Sequence, residues 1–388
     1  MDFALSDEQQ AIAEAVGRIC ASFDDDYWRE CDRSGSFPEA FRCALIDGGW
    51  LGIAMPEEYG GSGLGITEAT ILMHAIARSA GAMSAASTVH INIFGPHPIV
   101  VFGTEEQKQR WLPDIIAGRT TVCFGVTEPD AGLDTGSIRT MADKSGNGYV
   151  INGKKIWTST AARADKILLL ARTSAYDKAA GHTRGLSLFY TDLNRDYVQV
   201  REIEKMGRAA VDSNEVFIDG LPVPLDDRIG EEGEGFRYLL HGLNAERVLV
   251  GAEAVGIGQR AVELASRYAR ERVVFGRPIG QNQGIQHPLA DSWMALEAAW
   301  LACLRAAWAY DRGQPCGAEA NAAKYLGAEA AYKACERAVM THGGMGYARE
   351  FHVERLWREV LIARIAPVSP QLILCYIAER VLDLPRSY

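Results

Sequence analysis

The spacing of apolar and polar positions changes character twice along the chain. Up to about residue 122 apolar residues recur at helical intervals, beginning after Ser6, which stands three before Gln9 in a capping-box arrangement ahead of AIAEAVGRIC. MPEEYGGSGLG and NIFGPHP read as loops that punctuate these helices. From 123 to 233 the period shortens to that of strands: YVINGKKIWTST, KILLLART, LSLFYTDL, VQVREI and NEVFIDGL are β-rich runs bounded by turns. From 234 onward Ala-rich helices are predicted over 236–272, 284–312, 317–342 and 350–365, broken by FGRPIGQNQ, RGQPCG and HGGMGY. Four such helices with short breaks suggest a bundle. The expected fold is therefore α+β and multidomain, with an N-terminal α-helical domain (1–122), a central β domain (123–233) and a C-terminal helical bundle (234–388). Near the end, RIAPVSPQ interrupts the last predicted helix, because Pro367 and Pro370 lack an N–H and clash with the preceding turn.

Composition adds exclusions. A chain of 388 residues is longer than one core usually grows, which agrees with several domains. Forty Lys plus Arg against fifty Asp plus Glu give a net charge of -10, which argues against a nucleic-acid or anionic-membrane binder. The eight cysteines form no C-x-x-C pair and no metal-like group with His, so they read as reduced packing residues. The opening MDFALSDEQQ carries acids where a signal peptide carries Lys or Arg, and no stretch is expected to reach the length of a membrane span. A cytoplasmic enzyme is the expectation.

The most informative residue lies in FRYLLHGLNAERVLVGAEAVGIG. Its apolar stripe runs through Leu239, Leu243, Val250, Ala254 and Ile257, and Glu246 falls three after Leu243 and four before Val250. A carboxylate thus faces the core. Its neighbours at helical spacing are Gly242, Leu243, Leu249 and Val250, none of them a cation, and Arg247 points elsewhere. Desolvation would raise its pKa and suit it to general-base work, although a structural ion pair with a distant Lys or Arg satisfies the same pattern. CFGVTEPDAGLDTG begins as an apolar strand and gives way at Thr127 to a turn, whose N–H and hydroxyl groups could hold a heterocycle or phosphate or serve only the turn. Trp157 beside hydroxyl residues in KKIWTST is either aromatic packing or a cofactor wall. The glycines of THGGMGY suit a helix C-cap or a backbone approaching pyrophosphate, and Arg270 and Arg272 stand at a predicted helix end.

In this order, GVTEPDAG, INGKKIWTS, ERVVFGRPIGQNQGIQ and GGMGY resemble the acyl-CoA dehydrogenase family over essentially the whole chain. The resemblance implies a helical domain, a β domain and a C-terminal four-helix bundle, with FAD held between subunits of a homodimer or homotetramer. It implies oxidation of an acyl-CoA at Cα and Cβ, with electrons leaving to an electron-transfer flavoprotein. By motif, Phe124, Val126 and Thr127 would line the flavin, and Trp157 and Ser159 would cover its other edge. Arg272, Phe275 and Gln283 would reach the FAD of a neighbouring subunit, as would Met340, Gly343 and Gly344. Asn244 and Arg247 occupy acyl-CoA-contacting positions. Leu133 stands where the family's AGSD has serine, and Met340 where glutamine is common, so two hydrogen bonds lack these donors.

RIAPVSPQ aligns with a segment that usually reads like IYEGTSQ, whose glutamate is the base; here Pro367 replaces it, while Ser369 and Gln371 keep positions that help hold FAD. The isovaleryl-CoA and long-chain members place their base at L-x-x-E-R, which LNAER matches at Glu246. The family also uses the backbone N–H at the Pro367 position to polarise the thioester carbonyl, and proline has none; Val368 N–H or water would have to serve. A flavin-dependent oxidase, oxygenase or desulfinase on the same scaffold is the alternative reading. A flavin-free helical interaction protein is a third, opposed by Thr127, Trp157, Ser159 and Gln371.

Overall fold

The computed structural model describes residues 4–175 and 183–387, and the first three residues of the N-terminal run read above lie outside these. Eight helices come first: α1 (Asp7–Ala21), α2 (Asp25–Ser34), α3 (Glu39–Asp47), α4 (Ile66–Ala77), α5 (Ala82–Ser87), α6 (His90–Phe94), α7 (His97–Phe102) and α8 (Glu105–Ile116). The capping box at α1 forms in both directions, Gln9 N donating to Ser6 Oγ at 3.2 Å and Ser6 N to Gln9 Oε1 at 3.1 Å. NIFGPHP is not a simple loop. Its residues belong largely to α6 and α7, because Ile93, Phe94 and Ile99 find burial there, which outweighs the turn preference of Gly95–Pro96.

The β domain contains β1 (Val122–Gly125), β2 (Met141–Ser145), β3 (Gly148–Ser159), β4 (Lys166–Arg172), β5 (Leu186–Asp192), β6 (Val198–Glu202), β7 (Ser213–Pro224) and β8 (Arg228–Ile229). They form one sheet in the order β6-β7-β3-β2-β4-β5-β8, with β1 parallel to β4 from Val122↔Lys166 to Gly125↔Leu169. β2 and β8 escaped the sequence pattern: β2 buries only Ala142, so it has no alternation to read, and β8 has two residues.

The C-terminal part consists of α9 (Gly235–Glu271), a short hairpin of β9 (Val273–Val274) and β10 (Arg277–Pro278), α10 (Gln283–Asp311), α11 (Gly317–His342), α12 (Val353–Ile365) and α13 (Pro370–Arg380). α13 is a fifth helix that the sequence reading did not expect. The prolines do break the helix, but Pro370 then occupies the first position of a new one, and Ser369 Oγ caps it by accepting from Leu372 N at 3.3 Å. The expectation that no stretch reaches membrane-span length also needs correcting, since Val353–Arg380 carries an 18-residue window of mean hydropathy 1.7. The bend divides it into helices of 13 and 11 residues, each short of the roughly 20 needed to cross a bilayer. Only 17 % of that window is buried within the chain.

One core joins α1, α4 and α5 to α9, α10, α11 and α12, so the N-terminal helices and the bundle are packed as a unit. A second cluster joins α8 and the β1/β4/β5 part of the sheet to Tyr238 and Leu239 at the start of α9. The turn of α9 around residues 240–247 therefore lies at the seam between the two. Small residues bring the other side close: a Cβ on Gly327 would stand 2.6 Å from Gly251 O, and one on Gly251 2.9 Å from Ala323 O. α9 and α11 cross there nearly backbone to backbone.

Candidate active site

Glu246 sits on α9 at this seam with 9 % of its surface exposed. Its Oε2 is buried and has no hydrogen-bond partner among the described residues. Burial pushes its pKa up to about 7, opposed by the charges of His90 and Arg247 and reinforced by Glu253. The adjacent Arg247 turns away: its Nη1 donates to Asn244 Oδ1 at 2.8 Å. Asn244 and Arg247 thus form one polar pair on another side of the helix from the carboxylate.

Opposite this turn lies an apolar wall. Phe94, Gly95, Pro98 and Phe124 face Leu239, Gly242 and Leu243 across a narrow cavity, and the Phe94 and Phe124 rings meet edge-on at 5.6 Å. Phe124 belongs to β1, so this wall leads directly to the β-domain residues singled out above. There Ile156 N donates to Thr127 O at 2.9 Å, tying the turn after β1 to β3 beside Trp157. Below it the fully buried Lys155 donates to Val126 O at 3.2 Å and to Glu128 Oε1 at 2.8 Å. Glu128 also accepts from Arg139 N and Thr140 N at 2.7 and 3.0 Å, which pins the turn.

Trp157 lies at a break in the β3/β7 register with φ of +61°, a conformation costly for a bulky residue, and 56 % of it is exposed. Its indole N–H and the Thr127 and Ser159 hydroxyls have no hydrogen-bond partner among the described residues. An exposed aromatic face held at a strained position beside three free polar tips fits a flat heterocycle with hydrogen-bonding edges, so these residues suit a flavin.

The RIAPVSPQ bend approaches the same turn of α9 from the α11 side. Lys324, next to the close crossing at Ala323, is buried and donates its Nζ to Val368 O at 2.6 Å, while burial lowers its pKa to about 8. Val368 is thereby held by its carbonyl, and its N–H makes no hydrogen bond among the described residues. Ser369 is half-buried and Gln371 exposed beyond it.

The remaining predicted residues are elsewhere. Glu271 ends α9 25 residues after Glu246, about 38 Å at 1.5 Å per residue. Arg272 follows, exposed, and Phe275 is 100 % exposed in the β9/β10 hairpin with φ of +52°. Gln283 opens α10, and Met340, Gly343 and Gly344 lie exposed at the end of α11, with Gly343 closing the helix at φ of +59°. Met340 is 16 residues, about 24 Å, from Lys324 along that helix. One chain therefore does not bring these six to the Glu246 side.

Three residues of the site were not read from sequence. Glu253 follows Glu246 by seven positions, so its place on the same helical face was available from spacing alone. His90 and Lys324 carried no such signal, since their partners, Glu253 and Val368, are distant in sequence.

Sequence models of the acyl-CoA dehydrogenase N-terminal, middle and C-terminal domains match residues 6–119, 123–221 and 233–382. The chain is 36% identical over 388 residues to acyl-CoA dehydrogenase FadE12 of Mycobacterium tuberculosis, covering 100% of this chain and 99% of that one. Among solved structures, butyryl-CoA dehydrogenase from Megasphaera elsdenii superposes with a TM-score of 0.93 at 29% identity, covering 98% of this chain and 100% of that one. A glutaryl-CoA complex of glutaryl-CoA dehydrogenase gives the same TM-score at 32% identity, covering 100% and 98%.

Proposed function

Because the chain belongs to the acyl-CoA dehydrogenase family along its whole length, we propose that Glu246 is the base of its α,β-dehydrogenation of an acyl-CoA thioester. The protein is a flavin-dependent oxidoreductase acting on a CH–CH bond. The observation that carries the assignment of the base is the buried Glu246 carboxylate, with one oxygen unpartnered, one turn along α9 from Gly242 and Leu243, which face Phe94 and Phe124. At about pH 7 it is poised to accept the Cα proton.

The cofactor is FAD in this reading, and when bound it supplies the acceptor for the β-hydride. Phe124, Val126, Thr127, Trp157 and Ser159 would hold its ring system. Asn244 and Arg247 would contact the acyl-CoA near the thioester. Pro367 offers no N–H, so Val368 N–H, held in place through the Lys324 bond to its carbonyl, would donate to the thioester carbonyl as the enolate develops. Ser369 and Gln371 complete the cofactor side of the bend.

Arg272, Phe275, Gln283, Met340, Gly343 and Gly344 would serve the FAD of a neighbouring subunit. The about 38 Å along α9 and the fully exposed Phe275 ring support that reading, and so does the largely uncovered apolar face of Val353–Arg380. A homodimer or homotetramer acting in the cytoplasm and passing electrons to an electron-transfer flavoprotein is the assembly that follows. All eight cysteines are free, as a reducing compartment would leave them.

The test is Glu246→Gln. The variant should retain FAD and acyl-CoA binding but lose anaerobic flavin bleaching by at least about a hundredfold. Near-normal bleaching would remove Glu246 from the role.

A further inference from the structure

Two turns beyond Glu246, α9 carries a second carboxylate on the same face. Glu253 is 2 % exposed, and its Oε1 meets His90 Nδ1 of α6 at 2.6 Å. Burial alone would lower the His90 pKa, but the charge and hydrogen bond of Glu253, aided by the charge of Glu246, outweigh it and hold the ring above its ordinary value. Nδ1 of His90 is thus committed to Glu253, and the second ring nitrogen, Nε2, has no partner among the described residues. The ring keeps 19 % side-chain exposure. It lies against Phe94 at 4.9 Å between centroids, and Phe94 in turn meets Phe124, so His90 continues the wall that faces the α9 turn. Arg208, whose charge opposes protonation of the ring, is held by Ser87 Oγ at 2.9 Å and Ser213 Oγ at 3.2 Å.

The direction inward is clear from α9 itself. Residues 240–247 include exposed and half-buried positions, whereas 248–258 are buried throughout. The bulky, charged CoA part of a thioester must stay on the open side, so any group of the substrate that passes Glu246 toward Glu253 belongs to the acyl chain. An aliphatic chain gains nothing from an ion pair at the inner end of its pocket. Stability does not account for the pair either, since apolar residues of similar volume in place of a buried ion pair are often neutral or stabilising.

We propose that His90, oriented by Glu253, is the hydrogen-bonding group at the inner end of the acyl pocket, and that the preferred substrate is a short acyl-CoA bearing an oxygen on its distal carbons. Glu253 stands about 10 Å along the helix from Glu246, which confines that oxygen to within a few carbons of Cβ. Glu253 is a positioning residue: it accepts from Nδ1 and so fixes the ring, leaving Nε2 for the substrate. This inference rests on Glu246 being the base, because that role fixes where Cα lies.

The experiment compares anaerobic flavin reduction of the holoenzyme by pentanoyl-CoA, 4-hydroxypentanoyl-CoA and 4-oxopentanoyl-CoA. At least one of the oxygenated thioesters should show kcat/KM at least about tenfold above pentanoyl-CoA, because a buried polar nitrogen left unpaired penalises the analogue that lacks the oxygen. His90→Gln, whose amide keeps a donor and an acceptor, should retain the preference. The double variant His90→Leu with Glu253→Leu leaves no uncompensated charge of the pair and should reverse the order. Equal or better use of pentanoyl-CoA by the wild type, with the ratio unchanged in the double variant, would overturn the inference and leave Glu246 as base intact. No bleaching by any of the three would overturn the inference, while Glu246 as base stands or falls by Glu246→Gln.

Discussion

At the level of single residues the active site depends on how much an environment can move a carboxylate. Glu246 is raised from 4.5 to about 7, first by burial, with His90 and Arg247 opposing and Glu253 adding to the rise. A base works only when ionised, so a raised pKa makes the competent fraction fall as pH drops below about 7. We expect kcat/KM for flavin reduction to rise with pH through about 7 and to level off above it, measured by stopped-flow bleaching across pH 5 to 9. A profile flat down to about pH 5 would mean that the carboxylate titrates as an exposed group and that its surroundings do not tune it.

Among the elements, the crossing of α9 and α11 and the proline bend matter most. Gly327 lets α11 approach until a Cβ would stand 2.6 Å from the Gly251 carbonyl, a backbone atom that cannot swing aside. Gly327→Ala should therefore separate the helices and destabilise the protein by about 1–3 kcal/mol, read from denaturant midpoints. It should also slow flavin reduction, since Lys324, which holds the Val368 carbonyl, rides on α11. An unchanged midpoint would show that the helices shift at no cost. At the bend, Pro367→Ala adds an N–H and loosens the chain at once. Alignment governs the rate, and a displacement of about 1 Å can cost about a hundredfold, so we expect slower bleaching despite the added donor. A faster variant with unchanged FAD content would show instead that the proline withholds a useful donor.

For the whole molecule, the residues expected to bind one FAD lie at opposite ends of the helices of one chain. Arg272 follows the end of α9, about 38 Å from Glu246, and is exposed. Arg272→Ala should lose FAD on gel filtration while its thermal unfolding and monomer fold remain near those of the wild type, because a charge-assisted contact is removed and no core is touched. Diluting the wild type below its subunit dissociation constant should release flavin in parallel. Full FAD occupancy in a folded Arg272→Ala variant would place the cofactor contact elsewhere.

The sequence by itself determined the order of helical, β and helical regions, because the periods 3.6 and 2 are local properties of the chain. It determined the burial of Glu246 in the same way, since Leu243, Glu246 and Val250 share one face of one helix. It also marked the break at Pro367 and Pro370, whose chemistry is that of a single residue. The strand β2 was hidden because four of its five residues stay out of the core, and α6 and α7 were hidden because burial overrode local turn preference. Only the tertiary structure decided that His90 meets Glu253 across 163 positions and that Lys324 holds Val368 across 44. Such pairs arise where elements distant in sequence cross, at distances set by packing, and no repeat or spacing along the chain records them.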